Sequence, residues 1–506
     1  MLAKIRSCAL IGLDGDIVEV EVDIYPGLPA FNIVGLPDTA VQESKERVRS
    51  AIRNSGFSFP IKRIVVNLAP ADVKKAGPAY DLPIALAILL SSEQITADTS
   101  DTVLLGELSL DGSLRHTNGI LPMVALARQQ GFSKVIIPLC DAVEASLVDN
   151  IDITPVESLS QLVSYLHGVI DIPVFKPSIQ APERNAIKYD IDLADIKGQE
   201  HVKRALEIAA AGGHNIIMCG PPGSGKTMLS RSLVSILPPM NNEEALEVTK
   251  IYSVSGLLPQ NTPLIRTRPF RSPHYTISSA GLVGGGHWPR PGEISLSHRG
   301  VLFLDELPEF GHALLELLRQ PIEDKLVTIS RAQGSVIFPA NFMLVGAMNP
   351  CPCGYYGDPL RQCKCPPGLV ARYQRRISGP FVDRVDIYVE VPRIEYEKLS
   401  DNRAGEPSST VRSRVINARV IQQHRFGENG ASCNAEITPA GIMLFCQTES
   451  EAQSLLKAAM KQLHLSARAF HRILKLARTI ADLEESDIIK ANHIAEAIQY
   501  RPRRQI

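Results

Sequence analysis

Alternating apolar and polar residues mark the first secondary-structure elements of the chain. Valine or isoleucine occupies every second position from 18 to 24 with acidic residues between, which is the two-residue period of a half-buried strand. A strand at 31–34 precedes Asp38, a typical helix N-cap, and apolar residues at helical spacing then predict a helix that ends at Gly56. The pattern continues with strands at 63–68 and 134–138, helices at 81–90 and 121–130, and a hairpin across 103–114.

The pattern of predicted elements changes twice along the chain. Pro173, Pro177 and Pro182 interrupt a stretch without periodicity, which is typical of an interdomain linker. Strands then alternate with helices, which predicts a parallel sheet with crossover connections, and the residues from 411 onward are almost wholly helical. We therefore expect an α/β chain in four segments: an α/β domain at 1–168, a linker at 169–189, an α/β core with a parallel sheet at 190–393 and a helical domain at 394–506.

The composition is that of a folded protein without a membrane segment. Of 506 residues, 44% are hydrophobic, and 53 basic residues stand against 54 acidic ones, so any basic surface must be local. No long apolar core precedes Asp14, so no signal peptide is expected, and the longest apolar stretch, 82–90, is too short to span a bilayer. Nine cysteines do not make a disulfide framework in this length, so we expect a cytoplasmic protein in which clustered cysteines indicate a metal site.

The clearest chemical motif lies between a predicted strand at 215–219 and a helix that begins at Met228. The intervening residues match G-x-x-x-x-G-K-[ST] in the strand–loop–helix context of a phosphate-binding loop. Backbone N–H groups converge on the phosphates, Lys226 reaches the β- and γ-phosphates, and Thr227 binds Mg²⁺. The residues predicted to bind the nucleotide are Gly220, Pro221, Pro222, Gly223, Ser224, Gly225, Lys226 and Thr227.

Two further predicted strands end in polar residues suited to nucleotide hydrolysis. An apolar strand at 301–304 leads into Asp305 and Glu306, and a strand at 342–347 leads to Asn349. With a phosphate-binding loop in the same chain, we predict that Asp305 binds Mg²⁺, Glu306 acts as the base for the attacking water, and Asn349 holds that water near the γ-phosphate. The alternatives are an ion pair at a strand end for the acids and a turn-capping role for Asn349.

These motifs, in this order, resemble AAA+ ATPases of the magnesium-chelatase type, and more closely the bacterial competence proteins of that type. The segment at 195–200 resembles the family's stretch beside the adenine, and Asn349 matches the first sensor. Arg468, in the predicted helical lid, matches the second sensor, which implies that it approaches the nucleotide. The resemblance thus implies ATP and Mg²⁺ as cofactors.

The same resemblance extends to a segment at 381–386 that carries an arginine finger in this family. Arg384 is the matching residue, and Arg376 is the second choice. An arginine can stabilise transition-state charge across a subunit boundary, so Arg384 implies a ring, which we expect to be a hexamer. The alternative is a local ion pair with Asp383 or Asp386.

Two insertions distinguish the chain from a plain AAA+ module. Five arginines and one acid lie between 266 and 299, and residues 327–338 read as two short strands with a turn near Gln333. Both places resemble inserts of this clade that face the central pore of ring helicases, where arginines and glycines suit a grip on a phosphate backbone. We predict that Arg271 and Arg331 contact single-stranded or branched DNA. The alternative is that these arginines pair with carboxylates of a neighbouring subunit.

Four of the nine cysteines lie within fifteen positions, 351–365, just after Asn349. Cysteine thiolates are zinc ligands, and four of them match a structural tetrahedral site. Free or weakly oxidised thiols in a loop are the alternative, because C-x-C pairs are less typical of zinc sites than C-x₂-C pairs. The predicted ligands of a structural Zn²⁺ are Cys351, Cys353, Cys363 and Cys365.

The N-terminal domain resembles the proteolytic domain of Lon, of the ribosomal S5 domain 2-like α/β fold, through Gly77-Pro78 and a glycine-rich segment at 106–112. In Lon-like proteases a serine follows the Gly-Pro pair and a lysine lies in a later helix. Here Ala79 and Tyr80 follow the pair, and Leu121 stands near the place of the lysine. Because both reactive groups are missing, we expect an inactive domain used for assembly or DNA contact.

The resemblance implies a hexameric, Mg²⁺- and ATP-dependent helicase or branch-migration enzyme that promotes integration of incoming DNA during natural transformation. The alternative is a magnesium-chelatase-like subunit that remodels a protein partner. The Lon-like domain and the four-cysteine loop resemble the competence proteins rather than chelatase subunits. The missing serine and lysine argue against a protease, and Glu306 with Arg384 argues against a scaffold without enzymatic activity.

Overall fold

The computed structural model describes residues 2–176, 189–259, 262–286, 289–331, 334–394, 405–427, 431–463 and 465–501. Most of the predicted linker and the turn near Gln333 lie outside these residues. The expected α/β chain with a parallel sheet and a helical C-terminal region is confirmed. Across these ranges, no helix has both the length and the apolar character needed to cross a bilayer.

The N-terminal part is one mixed sheet covered by helices. Its strands are β1 (Ala3–Ile11), β2 (Asp14–Tyr25), β3 (Ala30–Val34), β4 (Arg63–Ala69), β5 (Thr102–Leu104), β6 (Glu107–Leu108), β7 (Leu114–Arg115), β8 (Lys134–Pro138) and β9 (Asp152–Val156). Its helices are α1 (Thr39–Asn54), α2 (Asp81–Ser91), α3 (Ile120–Gln129), α4 (Ala142–Ala145) and α5 (Leu159–Leu166). The sheet has the order β3-β4-β2-β1-β5-β8-β9, in which β2 is antiparallel to β1 and β4 and the other neighbours are parallel.

Local signals predict most of these elements correctly. The Asp38 carboxylate accepts a hydrogen bond from the Val41 N–H at 2.8 Å, which is the predicted N-cap of α1. The predicted hairpin across 103–114 is wrong in its first half, because β5 lies in the main sheet, parallel to β1 and β8. Only β6 and β7 form a hairpin there. Parallel partners distant in sequence leave no local pattern from which β5 can be told from a hairpin strand.

The central part is built on a parallel sheet. Its strands, with those of two inserted hairpins, are β10 (Ile216–Cys219), β11 (Phe270–Arg271), β12 (Gly284–Gly285), β13 (Arg290–Pro291), β14 (Val301–Leu304), β15 (Leu326–Arg331), β16 (Gly334–Pro339), β17 (Met343–Met348) and β18 (Ile387–Glu390). Its helices are α6 (Glu200–Gly212), α7 (Lys226–Ile236), α8 (Asn242–Ser255), α9 (Ser279–Val283), α10 (Glu293–Leu296), α11 (Gly311–Leu317), α12 (Arg319–Asp324), α13 (Pro367–Gln374) and α14 (Gly379–Val382). The sheet order is β11-β14-β17-β10-β18, with every neighbouring pair parallel. The strands therefore share a carboxyl edge and, at the other side of the sheet, an amino edge.

The two predicted insertions pack against each other. The first carries the hairpin β12–β13, and the second is the hairpin β15–β16. A Cβ added at Gly284 would lie 2.8 Å from Cδ1 of Ile329, so the hairpins approach closely at this point. Leu13, in the turn between β1 and β2, packs on the same apolar cluster as Phe338. The second hairpin thus lies between the first insertion and the N-terminal sheet.

Helices cover the core on its C-terminal side. They are α15 (Ser408–Phe426), α16 (Pro439–Phe445), α17 (Ser450–Gln462), α18 (Ala467–Leu483) and α19 (Ala491–Gln499). Ile473, Leu476 and Ile480 of α18 are buried in one apolar core with Ala205 and Ala209 of α6. Burial of such side chains stabilises the fold by about 1.5–3 kcal/mol for each large apolar residue, so the helical part is fixed against the sheet rather than loosely tethered.

Candidate active site at the carboxyl edge

The phosphate-binding loop joins β10 to α7 at the carboxyl edge. Gly223 and Gly225 have φ of 77° and 88°, a backbone conformation that glycine adopts without strain. No heavy atom lies within 4 Å of a Cβ added at either glycine, so open space adjoins this backbone. The loop therefore leaves room for a ligand at the N-terminus of α7, where the helix dipole favours an anion.

Lys226 links the loop to the next strand of the sheet. Its Nζ donates to the carbonyl oxygens of Gly220 and Pro221 at 2.8 and 2.9 Å and to Oδ1 of Asn349 at 3.2 Å. Burial lowers the pKa of Lys226. The predicted phosphate-binding lysine and the predicted first sensor, which are distant in sequence, thus meet in one site.

The polar residues that follow β14 lie directly beside the start of α7. Thr227 Oγ1 donates to Oδ2 of Asp305 at 3.1 Å, and the Glu306 N–H donates to Oδ1 of Asp305 at 2.9 Å. Hydroxyl and carboxylate oxygens at this spacing are the ligand types that Mg²⁺ prefers. Glu306 is exposed and has φ of 52°, a left-handed conformation that costs about 1–3 kcal/mol and is commonest at functional sites.

The segment predicted to lie beside the adenine approaches the same edge. Gln199 Nε2 donates to the Pro392 carbonyl oxygen at 2.6 Å, and His201 Nε2 lies 2.7 Å from the Glu390 carbonyl oxygen at the end of β18. Oε1 of Gln199 and Oγ of Ser224 are buried without a hydrogen-bond partner among the described residues. Buried polar atoms are usually paired, so these two oxygens suit a polar ligand between segment 195–200 and the loop. The donor set thus fits a nucleotide with Mg²⁺.

Arg384 lies on the opposite side of the sheet. The Asp386 N–H donates to the Asn215 carbonyl oxygen at 3.1 Å, just before the parallel strands β18 and β10 begin, which places Arg384 at the amino edge. Its guanidinium donates to Glu323 at 3.0 Å and to the Pro380 carbonyl oxygen at 2.6 Å, and the side chain is 7% exposed. Arg384 therefore has an ion-pair partner within the chain, and that partner is Glu323 rather than Asp383 or Asp386.

Arg468 shares this location. At the start of α18, its guanidinium donates to the other oxygen of Glu323 at 2.9 Å. Arg472, one turn later, lies 3.5 Å from Asp386. Arg468 therefore lies away from the phosphate-binding loop of its own chain. The resemblance implies only that it approaches a nucleotide. Its action on a nucleotide stays a prediction and requires a neighbouring subunit.

Arg376, the second choice for the arginine finger, lies in a different part of the structure from Arg384. It pairs with Glu309 at 2.7 Å, three residues after Glu306. Arg376 thus lies near the carboxyl edge of its own chain, and the two candidates are on opposite sides of the sheet. The sequence does not predict Glu323 as a site residue, because an acid in a short helix without a motif has no distinguishing local signal.

The four clustered cysteines have the geometry of a metal site. Their Sγ atoms lie within 4.8 Å of one another, with separations of 3.3 Å between Cys351 and Cys353 and 3.6 Å from each of these to Cys363. Zn–S bonds of about 2.3 Å in a tetrahedron give S–S separations of about 3.8 Å. Hydrogen bonding from the Tyr355 backbone lowers the pKa of Cys353 to about 6, which favours the thiolate that a metal requires. The residues present, including Cys365, fit Zn²⁺.

The cysteine loop also adjoins the nucleotide site. It follows Asn349 directly, and a Cβ added at Gly354 would lie 2.4 Å from Cδ of Pro222 in the phosphate-binding loop. A metal held by this loop would therefore restrain residues in contact with the nucleotide site.

The predicted DNA contacts are only partly described. Arg271 donates through two nitrogens to the Glu293 carboxylate, both at 2.6 Å. This arginine is therefore paired within its own chain, whereas the sequence left a carboxylate of a neighbouring subunit as the alternative to DNA. The side chain of Arg331 lies outside the described part of the structure, although its backbone ends β15 opposite Gly334. Contact of either residue with DNA stays a prediction.

The positions at which Lon-like proteases carry their reactive groups are apolar here and buried. Ala79 and Leu121 are 3% and 0% exposed. The Leu121 N–H donates to the Glu144 carboxylate, which also accepts from Ser253 of α8 at 2.6 Å. Helices α3 and α4 of the N-terminal part therefore contact α8 of the central part instead of forming a peptidase site.

Three family models match the chain. One described as "Magnesium chelatase, subunit ChlI" matches residues 192–399, one described as "Subunit ChlI of Mg-chelatase" matches residues 20–141, and one for the C-terminal part of the same subunit matches residues 405–501. These matches cover each of the three structural parts of the chain.

Similar proteins cover nearly the full length of the chain. Competence protein ComM of Haemophilus influenzae is 44% identical, covering 99% of this chain and 97% of its own length, and the protein YifB of Escherichia coli matches equally well in identity and coverage. A magnesium-chelatase 67 kDa subunit of Heliobacterium mobile is 26% identical over 46% of the chain and 38% of its own length. A Lon protease of Mycolicibacterium smegmatis is 24% identical over 31% of the chain and 21% of its own length.

Proposed function

Because the chain belongs to the magnesium-chelatase-type AAA+ family of ComM and YifB, we propose that it is a ring-forming ATPase that moves DNA. The observation that carries the proposal is the division of its candidate catalytic groups between two edges of one sheet. Lys226, Asp305 and Glu306 lie at the carboxyl edge, whereas Arg384 lies at the amino edge. A site with all of these groups requires two subunits, and repetition of that contact around a closed symmetry generates a ring, for which we propose a hexamer.

ATP hydrolysis uses the carboxyl edge. When bound, Mg²⁺-ATP supplies the γ-phosphoryl group whose transfer to water provides the free energy of the motor. Lys226 and the loop N–H groups hold the phosphates, and Thr227 with Asp305 holds Mg²⁺. Glu306 accepts the proton of the attacking water, and Asn349 orients that water.

The neighbouring subunit completes the site. We assign Arg384, together with Arg468, to the γ-phosphate held by the next protomer, where guanidinium groups stabilise the charge of the transition state. The distance of the amino edge from the phosphate-binding loop of the same chain supports this assignment. An Arg384→Ala protein should be inactive alone and regain partial activity when mixed with Lys226→Ala, because some boundaries of the mixed ring then hold one intact loop and one intact finger. No recovery in rings shown to be mixed would refute the assignment.

DNA is the proposed substrate of the two inserted hairpins. Their mutual packing supports a single surface, and the tip of β15–β16 carries Arg331. A basic side chain at such a tip binds phosphate without reading base sequence. We expect Arg271 to contribute less to DNA binding than Arg331, because its guanidinium is already engaged in a bidentate pair with Glu293. That pair holds the base of the first insertion in place.

Natural transformation is the proposed setting, and it rests on the name of ComM from Haemophilus influenzae. Integration of an incoming strand requires separation and exchange of paired strands. A ring that moves along single-stranded or branched DNA, as helicase or branch-migration enzyme, would perform that step.

A structural Zn²⁺ is proposed for the four cysteines. The metal would hold the loop that separates Asn349 from α13 and that packs on Pro222. A loop of this length has little core of its own, so metal binding would supply its folding free energy.

A second function is supported by the family models, all three of which carry the name of a magnesium-chelatase subunit. In that case the ring would remodel a protein partner and would have no use for DNA. Steady-state ATPase measured with and without single-stranded and branched DNA separates the two functions, with Glu306→Gln as the inactive control. Stimulation of turnover by DNA supports the DNA motor, and equal turnover with and without DNA supports remodelling of a protein.

A further inference from the structure

One carboxylate joins the two arginines of the amino edge. Glu323 is the second-last residue of α12, and its Oε2 accepts from Arg384 at 3.0 Å while its Oε1 accepts from Arg468 at 2.9 Å. Glu323 lies in α12, Arg384 in the loop before β18, and Arg468 at the start of α18. Among the described residues, Glu323 is the only acidic residue that forms an ion pair with Arg384 or Arg468.

Electrostatics gives this carboxylate a specific task. Two guanidinium groups that approach the same phosphate repel each other, and a single carboxylate between them offsets one of the two charges. Charge-assisted hydrogen bonds also fix the orientation of each guanidinium plane. Each arginine has five N–H donors, of which Glu323 engages one on each side chain, so donors remain for a phosphate.

The exposure of Arg468 and Glu323 supports their placement at a subunit boundary, whereas Arg384 is buried. Arg384 is 7% exposed, whereas Arg468 and Glu323 are 51% and 41% exposed. The Glu323 carboxylate thus accepts one hydrogen bond from the buried Arg384 and one from the half-exposed Arg468. Nε of Arg384 is buried without a hydrogen-bond partner in the described residues, so Glu323 is its principal anchor beside the Pro380 carbonyl.

We propose that Glu323 is a positioning residue that sets Arg384 and Arg468 as a pair toward the γ-phosphate held by the neighbouring subunit. The inference rests on the proposed action of these arginines in trans and adds the residue that orients them. Glu323 itself does not touch the nucleotide. Its loss should therefore lower the rate of hydrolysis without changing how tightly the phosphate-binding loop holds ATP.

The test is the steady-state ATPase of Glu323→Gln in rings whose size is measured by light scattering. The glutamine keeps the size of the side chain but removes the charge, so kcat should fall roughly tenfold, since misplacement of catalytic groups by about 1 Å can cost 10²-fold. The KM for ATP should stay unchanged. Asp324→Asn is the matched control, because Asp324 is the exposed neighbouring acid on the same helix, and its kcat should equal that of the wild type. Glu323→Asp should recover part of the rate.

A mixing experiment shows in which subunit the defect acts. Glu323→Gln mixed with Lys226→Ala should regain activity, because an intact loop then meets an intact arginine pair at some boundaries. A wild-type or higher kcat of Glu323→Gln, a raised KM, a lost ring, or no recovery in mixed rings would each overturn the proposal.

Arg384→Ala separates this inference from the proposed function. If Arg384→Ala keeps wild-type turnover in an intact ring, the arginine finger itself is wrong, and the positioning role of Glu323 falls with it. If Arg384→Ala is inactive while Glu323→Gln is fully active, the proposed function stands and only the role of Glu323 is refuted.

Discussion

Replacement of Glu306 by glutamine is the sharpest perturbation of the candidate active site. The side chain is exposed, and the hydrogen bonds described for Glu306 are made by its backbone: the N–H donates to Asp305 at 2.9 Å, and the carbonyl oxygen accepts from the Glu309 N–H at 2.7 Å. The substitution therefore leaves the pair between Thr227 and Asp305, at 3.1 Å, in place. Because exposed positions of this kind contribute little to folding, we expect the free energy of unfolding to change by no more than about 0.5 kcal/mol.

The expected loss is confined to catalysis. Removal of a general base typically lowers the rate about 10²–10⁴-fold, which corresponds to a barrier higher by about 2.7–5.5 kcal/mol. ATP binding should be unchanged, because Lys226, Thr227 and the loop N–H groups are intact. The assays are steady-state phosphate release and equilibrium binding of a fluorescent ATP analogue. Glu309→Gln is the matched control, since this nearby carboxylate pairs with Arg376 and should leave turnover within about twofold of wild type.

Hydrolysis of ATP at the wild-type rate by Glu306→Gln would show that Glu306 is not the general base. In that case the base would lie elsewhere, and the left-handed backbone at Glu306 would have only a structural role. A protein that loses ATP binding together with turnover would also contradict the assignment, because it would place Glu306 among the ligands of the nucleotide.

Further predictions concern ATP binding, zinc and DNA. Lys226→Ala should abolish tight ATP binding in the equilibrium assay, because it removes the charge of the phosphate-binding loop; retained affinity would contradict this. Elemental analysis should find about one zinc per chain in the wild type and none in Cys363→Ser. Cys140→Ser, at an exposed cysteine outside the cluster, is the control and should keep the zinc. Near-zero zinc in the wild type would refute the metal site. Arg331→Ala should weaken single-stranded DNA binding equally for all sequences and reduce the salt slope by about 0.7. Arg53→Ala, at an exposed arginine in the last turn of α1, is the control and should leave both unchanged, and an unchanged slope in Arg331→Ala would move DNA away from this hairpin.

The sequence predicts those parts of the molecule whose signals are local. Asp38 caps α1 because a carboxylate side chain satisfies the free N–H groups of a helix start wherever it occurs. The phosphate-binding loop is equally local, since its glycines, lysine and threonine are consecutive. Asp305 and Asn349 follow apolar strands, and parallel strands bring such ends to one edge, so their meeting with Lys226 and Thr227 follows from the order of the elements.

The amino edge shows where sequence reasoning ends. Nothing near Arg468 reveals that α18 packs on α6 and turns this arginine toward Glu323 instead of toward the loop of its own chain. The same limit applies to β5, whose parallel partners are remote in sequence. The four cysteines are an intermediate case, because their spacing suggests a metal but only the fold shows that their sulfur atoms converge within 4.8 Å.

We propose that ATP hydrolysis by this ring moves DNA strands, and an assay of strand separation tests this movement directly. A labelled forked duplex and a four-way junction are incubated with the wild-type protein and either ATP or a non-hydrolysable analogue, beside Glu306→Gln. We expect the fork to separate or the junction to migrate only with ATP and the wild-type protein. An intact ring that hydrolyses ATP but leaves both substrates unchanged would show that it does not move DNA, and it would favour a protein partner as the substrate.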